Sequence, residues 1–205
     1  MASPAPLETD LPAVKKKVFV VDDHPLLRQG LALLINREPD LIVCGEAEEA
    51  QAAMHGIAQM RPDILIVDIS LNGPDGLDLL KNIRNSYPDL PVLILSMHDE
   101  SIYAERALRA RANGYIMKQE ATEKVLVAIR RILNGELYLS DRIANKMLQQ
   151  YIGGAHPTVE SRWNALSDRE LEVFRLIGEG RSTRQFAEKL QLSVKTVETY
   201  QAHIK

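Results

Sequence analysis

From Lys17 onward, short β-branched runs alternate with longer stretches in which apolar residues recur every three or four positions. Val18-Phe19-Val20-Val21 precedes Leu26, Leu27, Leu31, Leu34 and Ile35, which are spaced for one helix face, so a strand and then a helix are predicted. The pairing recurs as Leu41 to Cys44 with Ala47 to Met60, and as Ile64 to Val67 with Leu77 to Ile83. Val92 to Leu95 with Ile102 to Leu108, and Tyr115 to Met117 with Val125 to Leu133, complete the series. Strand–helix pairs in this order predict an α/β domain built on a doubly wound, five-stranded parallel sheet with helices on both faces. Strands so uniformly apolar are covered on both sides, which disfavours an antiparallel sheet.

The punctuation agrees. Pro25 suits the first turn of a helix, Pro62 and Pro91 each precede a strand, and Gly114 and Gly135 are expected in turns. Beyond Gly135 the rhythm stops. Ser140 to Ile152 reads as one amphipathic helix with Ile143, Met147 and Leu148 on one side, and Gly153-Gly154-Ala155-His156-Pro157 reads as a flexible linker. Ser167-Asp168-Arg169-Glu170 is a capping box, with Leu166 and Leu171 placed for a hydrophobic staple over a helix that runs to Gly178. Ser182-Thr183-Arg184-Gln185 opens a second short helix and Ser193 caps a third, giving a small all-α unit of helix-turn-helix type. The expected organisation is therefore a disordered lead over 1–15, the α/β domain over 16–136, a linker with one helix over 137–164, and the helical domain over 165–205.

Composition narrows the function classes. A formal net charge of -3 gives no global basic footprint, so any nucleic-acid contact must be local. Cys44, the single cysteine, sits in an apolar run, which excludes an intramolecular disulfide and predicts a buried, inert thiol in a reducing compartment. Met1 to Pro12 lacks the apolar core of a signal peptide, and no later stretch approaches a membrane span, so a cytoplasmic protein is expected.

The candidate chemistry lies at strand ends. Asp22 and Asp23 follow the first strand and Asp68 the third, and an open parallel sheet binds its ligands outside those carboxyl ends. Two like charges about 4 Å apart repel by roughly 4 kcal/mol at an effective dielectric of about 20, so three carboxylates together call for a cation. Oxygen donors with room for water and phosphate suit Mg²⁺. Ser96 after the fourth strand offers a hydroxyl and Lys118 after the fifth a point charge, together a seat for an anion. Taken singly, each residue reads as a cap or a solvated charge; their conjunction at four strand ends is the signal.

Val20-Val21-Asp22-Asp23-His24-Pro25, Asp63 to Asp68, Gly73-Pro74-Asp75-Gly76 and Gly114 to Lys118 resemble the receiver domain of two-component response regulators. Leu166 to Glu170 and Thr196 to Tyr200 resemble the LuxR-type helix-turn-helix, so the whole chain is similar to the NarL/FixJ subfamily. The resemblance implies a flavodoxin-like receiver, with Asp68 as phosphoacceptor and Asp22, Asp23, Asp68 and the carbonyl of Ser70 around Mg²⁺. It further implies Ser96 as switch hydroxyl, Tyr115 as the aromatic that follows it, and Lys118 as phosphate partner. A sensor histidine kinase, double-stranded promoter DNA and a second copy of the phosphorylated chain are the implied partners. The role is that of a regulator rather than an enzyme, though one assisting its own phosphorylation and dephosphorylation. Gln119 stands where receivers commonly carry proline; His98 reads as a rim residue tuning water access and His24 as part of the loop before Pro25.

On the third helix of the small domain, Val194, Val197 and Ile204 fall on one side. The expected DNA-facing set is Lys195, Thr196, Glu198, Thr199, Ala202, His203 and Lys205, with Thr199 and Ala202 near base edges and the lysines near phosphates. From Ala165 onward seven basic residues face six acidic ones, too thin a balance for tight binding by one module. The chain stops at Lys205, and the expectation is truncation after the recognition helix, short of the fourth helix that pairs LuxR-type domains.

Three rival functions are weighed against this reading. A Mg²⁺-dependent phosphatase with a strand-end Asp nucleophile usually places a second acid two residues on, where this chain has Ser70. A flavin module would find the acidic loop Asp22-Asp23-His24-Pro25 repulsive to its phosphate. A receiver with a degenerate helical tail would signal through protein contacts alone and leave promoter DNA unshifted.

Overall fold

A computed structural model describes residues 14–71, 76–153, 166–190 and 192–204. Strands β1 (Lys16–Val21), β2 (Leu41–Ala47), β3 (Ile64–Asp68), β4 (Val92–Ser96) and β5 (Gly114–Met117) form one parallel sheet in the order β2-β1-β3-β4-β5. Helices α1 (Pro25–Asn36), α2 (Ala50–Met60), α3 (Gly76–Ser86), α4 (Glu100–Arg109) and α5 (Ala121–Leu133) connect and follow them. The sheet is the flavodoxin-like order, and its topology reverses between β1 and β3.

Side chains alternate across each strand, so two cores form. Val18, Val20, Ile64, Ile66, Leu93, Leu95 and Ile116 pack against α1 and α5. Phe19, Val21, Leu65, Val67, Ile94 and Tyr115 pack against α2, α3 and α4. The pairings Val21 with Val67, Asp68 with Leu95 and Ser96 with Met117 align the carboxyl ends of four strands along one edge.

Several local expectations are corrected. Ala47 ends β2 instead of opening a helix, because it pairs with Val21 and its carbonyl accepts the Asp22 N–H at 3.1 Å. Leu26 is 84% exposed, leaving Leu31 and Ile35 to anchor α1. Gly114 opens β5 and is no turn residue: a Cβ there would lie 2.9 Å from the Tyr138 carbonyl oxygen. Gly135 does turn the chain, at φ +84°. Cys44 is half-buried, since β2 is an edge strand, and burial pushes its thiol pKa up. Lys15, assigned to the lead, is anchored by a bond from its ammonium to the Glu38 carbonyl at 2.9 Å.

Helix α6 (Asp141–Gly153) is held by Ile143, 3% exposed, while Leu148, expected beside it, is exposed. Residues 1–13, the motif residues 73–75, the linker after Gly153 and the boundary near Ala165 lie outside the described residues. In the small domain, α7 (Asp168–Gly178), α8 (Thr183–Leu190) and α9 (Val194–Ile204) enclose Val173, Leu176, Phe186, Leu190 and Val197. The capping box at Ser167 is present, with Glu170 N–H donating to the Ser167 hydroxyl at 3.3 Å and Ser167 N–H to the Glu170 carboxylate at 2.8 Å. Leu166 and Leu171 pack into the large cluster beside α3 and α4, so the staple pair closes onto the α/β domain. Val194, on the same side of α9 as the buried Val197, is 39% exposed.

Candidate functional site

Each acid is delivered by a strand whose apolar run ends at the sheet edge. Asp22 and Asp68 are 1% and 0% exposed, a placement that carboxylates accept only when paired. Asp22 Oδ1 accepts the His24 N–H at 2.8 Å, folding the loop after β1 back on itself, and Arg28 donates to the Asp22 carbonyl at 2.6 Å. Asp68 Oδ1 accepts the Ser70 N–H at 3.0 Å. Gly76 begins α3 directly against this turn: an added Cβ would lie 2.0 Å from the Asp68 carbonyl oxygen, so any side chain there would displace the loop.

Lys118 Nζ, almost wholly buried, lies 2.7 Å from both Asp68 Oδ2 and Asp22 Oδ2. Asp22, Asp23, His24 and Asp68 bring one ligand atom each within 4.8 Å of one another. Burial pushes the Asp68 carboxyl above its ordinary range and the neighbouring Asp22 charge adds to this, while Lys118 and the Ser70 N–H oppose it. Asp22 Oδ2 and Asp23 Oδ1 are buried yet accept no aligned hydrogen bond; Lys118 Nζ lies 2.7 Å from the first and the His24 ring nitrogen Nδ1 2.6 Å from the second. A single lysine beside three carboxylates leaves excess negative charge, and oxygens without donors are what a hard divalent cation takes. The donor set fits Mg²⁺.

Ser96, 0% exposed, accepts the His98 N–H at 3.0 Å, and the buried Tyr115 hydroxyl donates to the His98 carbonyl at 2.9 Å. Burial raises the Tyr115 phenol pKa. The His98 ring pairs through Nε2 with Ser70 Oγ at 2.7 Å and stacks on Tyr103 at 4.8 Å, and burial lowers its pKa to about 4.

On α9, Lys195, Glu198, Thr199, Ala202 and His203 are exposed and Thr196 is half-buried. Ser193 caps the helix by accepting Thr196 N–H at 3.0 Å, Thr199 Oγ1 donates to the Lys195 carbonyl at 3.0 Å, and His203 Nδ1 lies 3.2 Å from Glu170 Oε1. Lys205 lies outside the described residues.

Residues 18–130 match the response regulator receiver domain, and residues 164–205 match the LuxR family of bacterial regulatory proteins. The chain is 34% identical over 192 residues to the oxygen regulatory protein NreC of Staphylococcus haemolyticus, spanning 92% of this chain and 88% of that protein. It belongs to the response regulators. Solved structures of the same branch are similar: a LuxR-family two-component response regulator from Aurantimonas has TM-score 0.62 and 33% identity, covering 67% of this chain and 99% of that one. RcsB of Salmonella enterica serovar Typhimurium, bound to a promoter in the presence of a phosphomimetic, has TM-score 0.67 and 26% identity over 93% of this chain and 90% of that one.

A receiver joined to a LuxR-type domain makes this response regulator a phosphorylation-dependent, DNA-binding transcription regulator of the NarL/FixJ kind. Its fold brings Asp22, Asp23, Asp68 and Lys118 into one pocket and sets Ser96 and Tyr115 together on the His98 backbone. Two residues emerge only in three dimensions. His24, read as loop, has its ring nitrogen 3.1 Å from Asp22 and 2.6 Å from Asp23. His98, read as rim, links Ser70, Ser96, Tyr103 and Tyr115. Adjacency to the Asp pair is the one sequence signal that could have raised His24.

Proposed function

We propose that Asp68 accepts a phosphoryl group from a phosphohistidine of a sensor histidine kinase in the cytoplasm, and that the resulting acyl phosphate sets the DNA-binding state of the helix-turn-helix domain. An Asp68 carboxylate oxygen forms the new P–O bond while the P–N bond of the donor breaks and the imidazole leaves with its electron pair. The observation that carries this reading is Asp68 Oδ2 held 2.7 Å from Lys118 Nζ beside Asp22 and Asp23 at the edge where four strands end.

Asp22, Asp23, Asp68 and the carbonyl of Ser70 would hold Mg²⁺, which supplies charge neutralisation for the transferring oxygens. Lys118 stabilises the same developing charge, and together these groups assist both phosphorylation and hydrolysis. Ser96 would donate to the phosphoryl oxygens, a charge-assisted bond of roughly 1.5 to 3 kcal/mol, enough to shift a two-state face by about one to two decades. Leaving for that bond, Ser96 gives up the His98 N–H, and Tyr115 follows it inward. Two phosphorylated copies would then pair and place α9 in the major groove of promoter DNA. There Thr199 and Ala202 meet base edges, Glu198 and His203 flank them, and Lys195, Thr196 and Lys205 meet phosphates.

The test is phosphoryl incorporation from acetyl phosphate with and without Mg²⁺. Incorporation at equal rates in excess chelator would exclude the metal-assisted reading.

A further inference from the structure

His24 brings a ring nitrogen into the acidic pocket. Its Nδ1 lies 2.6 Å from Asp23 Oδ1, 3.1 Å from Asp22 Oδ1 and 4.0 Å from Asp68 Oδ2. The outer edge of the ring meets solvent, while Nδ1 is one of the four ligand atoms that converge within 4.8 Å. The backbone on either side holds the ring there. His24 N–H donates to Asp22 Oδ1 at 2.8 Å, its carbonyl accepts the Arg28 N–H at 3.1 Å, and Pro25 follows in the first turn of α1. As the residue that precedes this helix, His24 gives it no side-chain hydrogen bond, so capping does not account for where the ring sits.

Two contacts show what Nδ1 offers. Lys118 Nζ, which can only donate, stands 3.4 Å away, a contact that uses the lone pair of the ring nitrogen. Asp23 Oδ1, only 2.6 Å off, is buried and receives no aligned hydrogen bond from it. Donor atoms this close without a hydrogen bond between them are arranged as neighbouring ligands of one centre. Asp22 Oδ2, on a side chain 1% exposed, also accepts no aligned hydrogen bond.

We propose that His24 is a metal ligand, and that through its Nδ1 the acidic pocket takes imidazole-preferring divalent ions of the zinc class in competition with Mg²⁺. The proposal rests on the reading of Asp22, Asp23 and Asp68 as a cation seat. Mg²⁺ prefers oxygen donors and keeps several waters, so a ring nitrogen adds little to its binding. Zinc-class ions favour imidazole and bind a mixed nitrogen and oxygen set more tightly than the hard ions do. Three carboxylates and one imidazole also match the four ligands that Zn²⁺ commonly takes. The same pocket therefore discriminates between the two classes by one side chain: the carboxylates serve both, and His24 serves the softer ion.

Titration calorimetry of the full chain with Zn²⁺ and with Mg²⁺, in wild type, His24→Asn and Asp23→Asn, tests this. Asparagine puts an oxygen near the place of Nδ1, so the exchange changes the donor atom more than the shape. Zn²⁺ binding should weaken by about tenfold or more in His24→Asn, while Mg²⁺ binding, which also reports an intact pocket, changes by less than about twofold. Equal Zn²⁺ affinity in His24→Asn and wild type would overturn the proposal. So would an equal loss for both ions, which would make His24 a support for the loop and no ligand. Asp23→Asn should weaken both ions. If it weakens neither, the reading of the pocket as a cation seat fails, and a Zn²⁺ loss confined to His24→Asn would then place the ring in some other site. Nitrogen-15 spectra of the histidine rings supply a direct readout: Zn²⁺ should move the Nδ1 resonance that is missing in His24→Asn, and excess Mg²⁺ should reverse the shift. A shift that excess Mg²⁺ leaves in place would show two separate sites and overturn the competition.

Discussion

Lys118 Nζ lies 2.7 Å from Asp68 Oδ2, with both groups sealed from bulk water at the edge of the sheet. The lysine bridges Asp68 and Asp22, so it balances charge in the resting pocket and is already aimed at the oxygen proposed to receive phosphorus.

That double duty predicts opposite effects on stability and a shared effect on chemistry. Without divalent metal, Lys118→Met leaves two buried carboxylates uncompensated and should cost about 3 to 5 kcal/mol. Asp68→Asn removes the ionised form of a carboxyl whose pKa is raised in the fold, so the denaturation midpoint should rise. Urea unfolding of both variants checks the signs. Phosphoryl incorporation should fall about 10²- to 10³-fold in Lys118→Met at saturating Mg²⁺.

Metal affinity should follow the acids with unsatisfied oxygens. Asp23→Asn keeps the shape but withdraws charge from the cluster, and should weaken Mg²⁺ binding by about tenfold or more. Titration calorimetry against Mg²⁺ measures this; equal affinity in variant and wild type would remove Asp23 from the ligand set.

His98 gives the protein a pH dependence of definite sign. The unfolded chain takes up a proton on this ring as pH falls through 6.5, whereas the folded chain does so only at about 4. Between those values the unfolded state binds more protons, so stability falls as pH falls across that window. The decline in denaturation midpoint from pH 7 to pH 4.5 should be shallower in His98→Asn. Parallel curves would show that the ring contributes nothing to it.

The strands β1, β3 and β4 were legible because burial on both faces writes unbroken apolar runs, and a run that ends in Asp or Ser marks the functional edge. Edge strand β2 was not fully legible: its pattern mixes exposed and buried positions, so Ala47 passed for a helix start. The Asp22, Asp23, Asp68, Ser96 and Lys118 constellation follows from topology alone. The parts played by His24 and His98 depend on loop paths, which leave no periodicity. Leu166 and Leu171 carry a staple pattern that a local or a tertiary partner satisfies equally well, and here the partner is the neighbouring domain.

On the DNA side, exposed Lys195 and Thr199 should separate affinity from specificity. Lys195→Ala should weaken binding to all sequences and lower the salt slope by about one. Thr199→Ala should cost about 1 to 3 kcal/mol at one base position and relax preference there. Binding isotherms across a salt series on matched and mutated operators distinguish the two.

Mass spectrometry of the intact chain after acetyl phosphate and Mg²⁺, in wild type and Asp68→Asn, tests the phosphoacceptor most directly. One added phosphoryl group in the wild type and none in the variant is the predicted result. Equal incorporation in both would place the acceptor elsewhere and contradict the account.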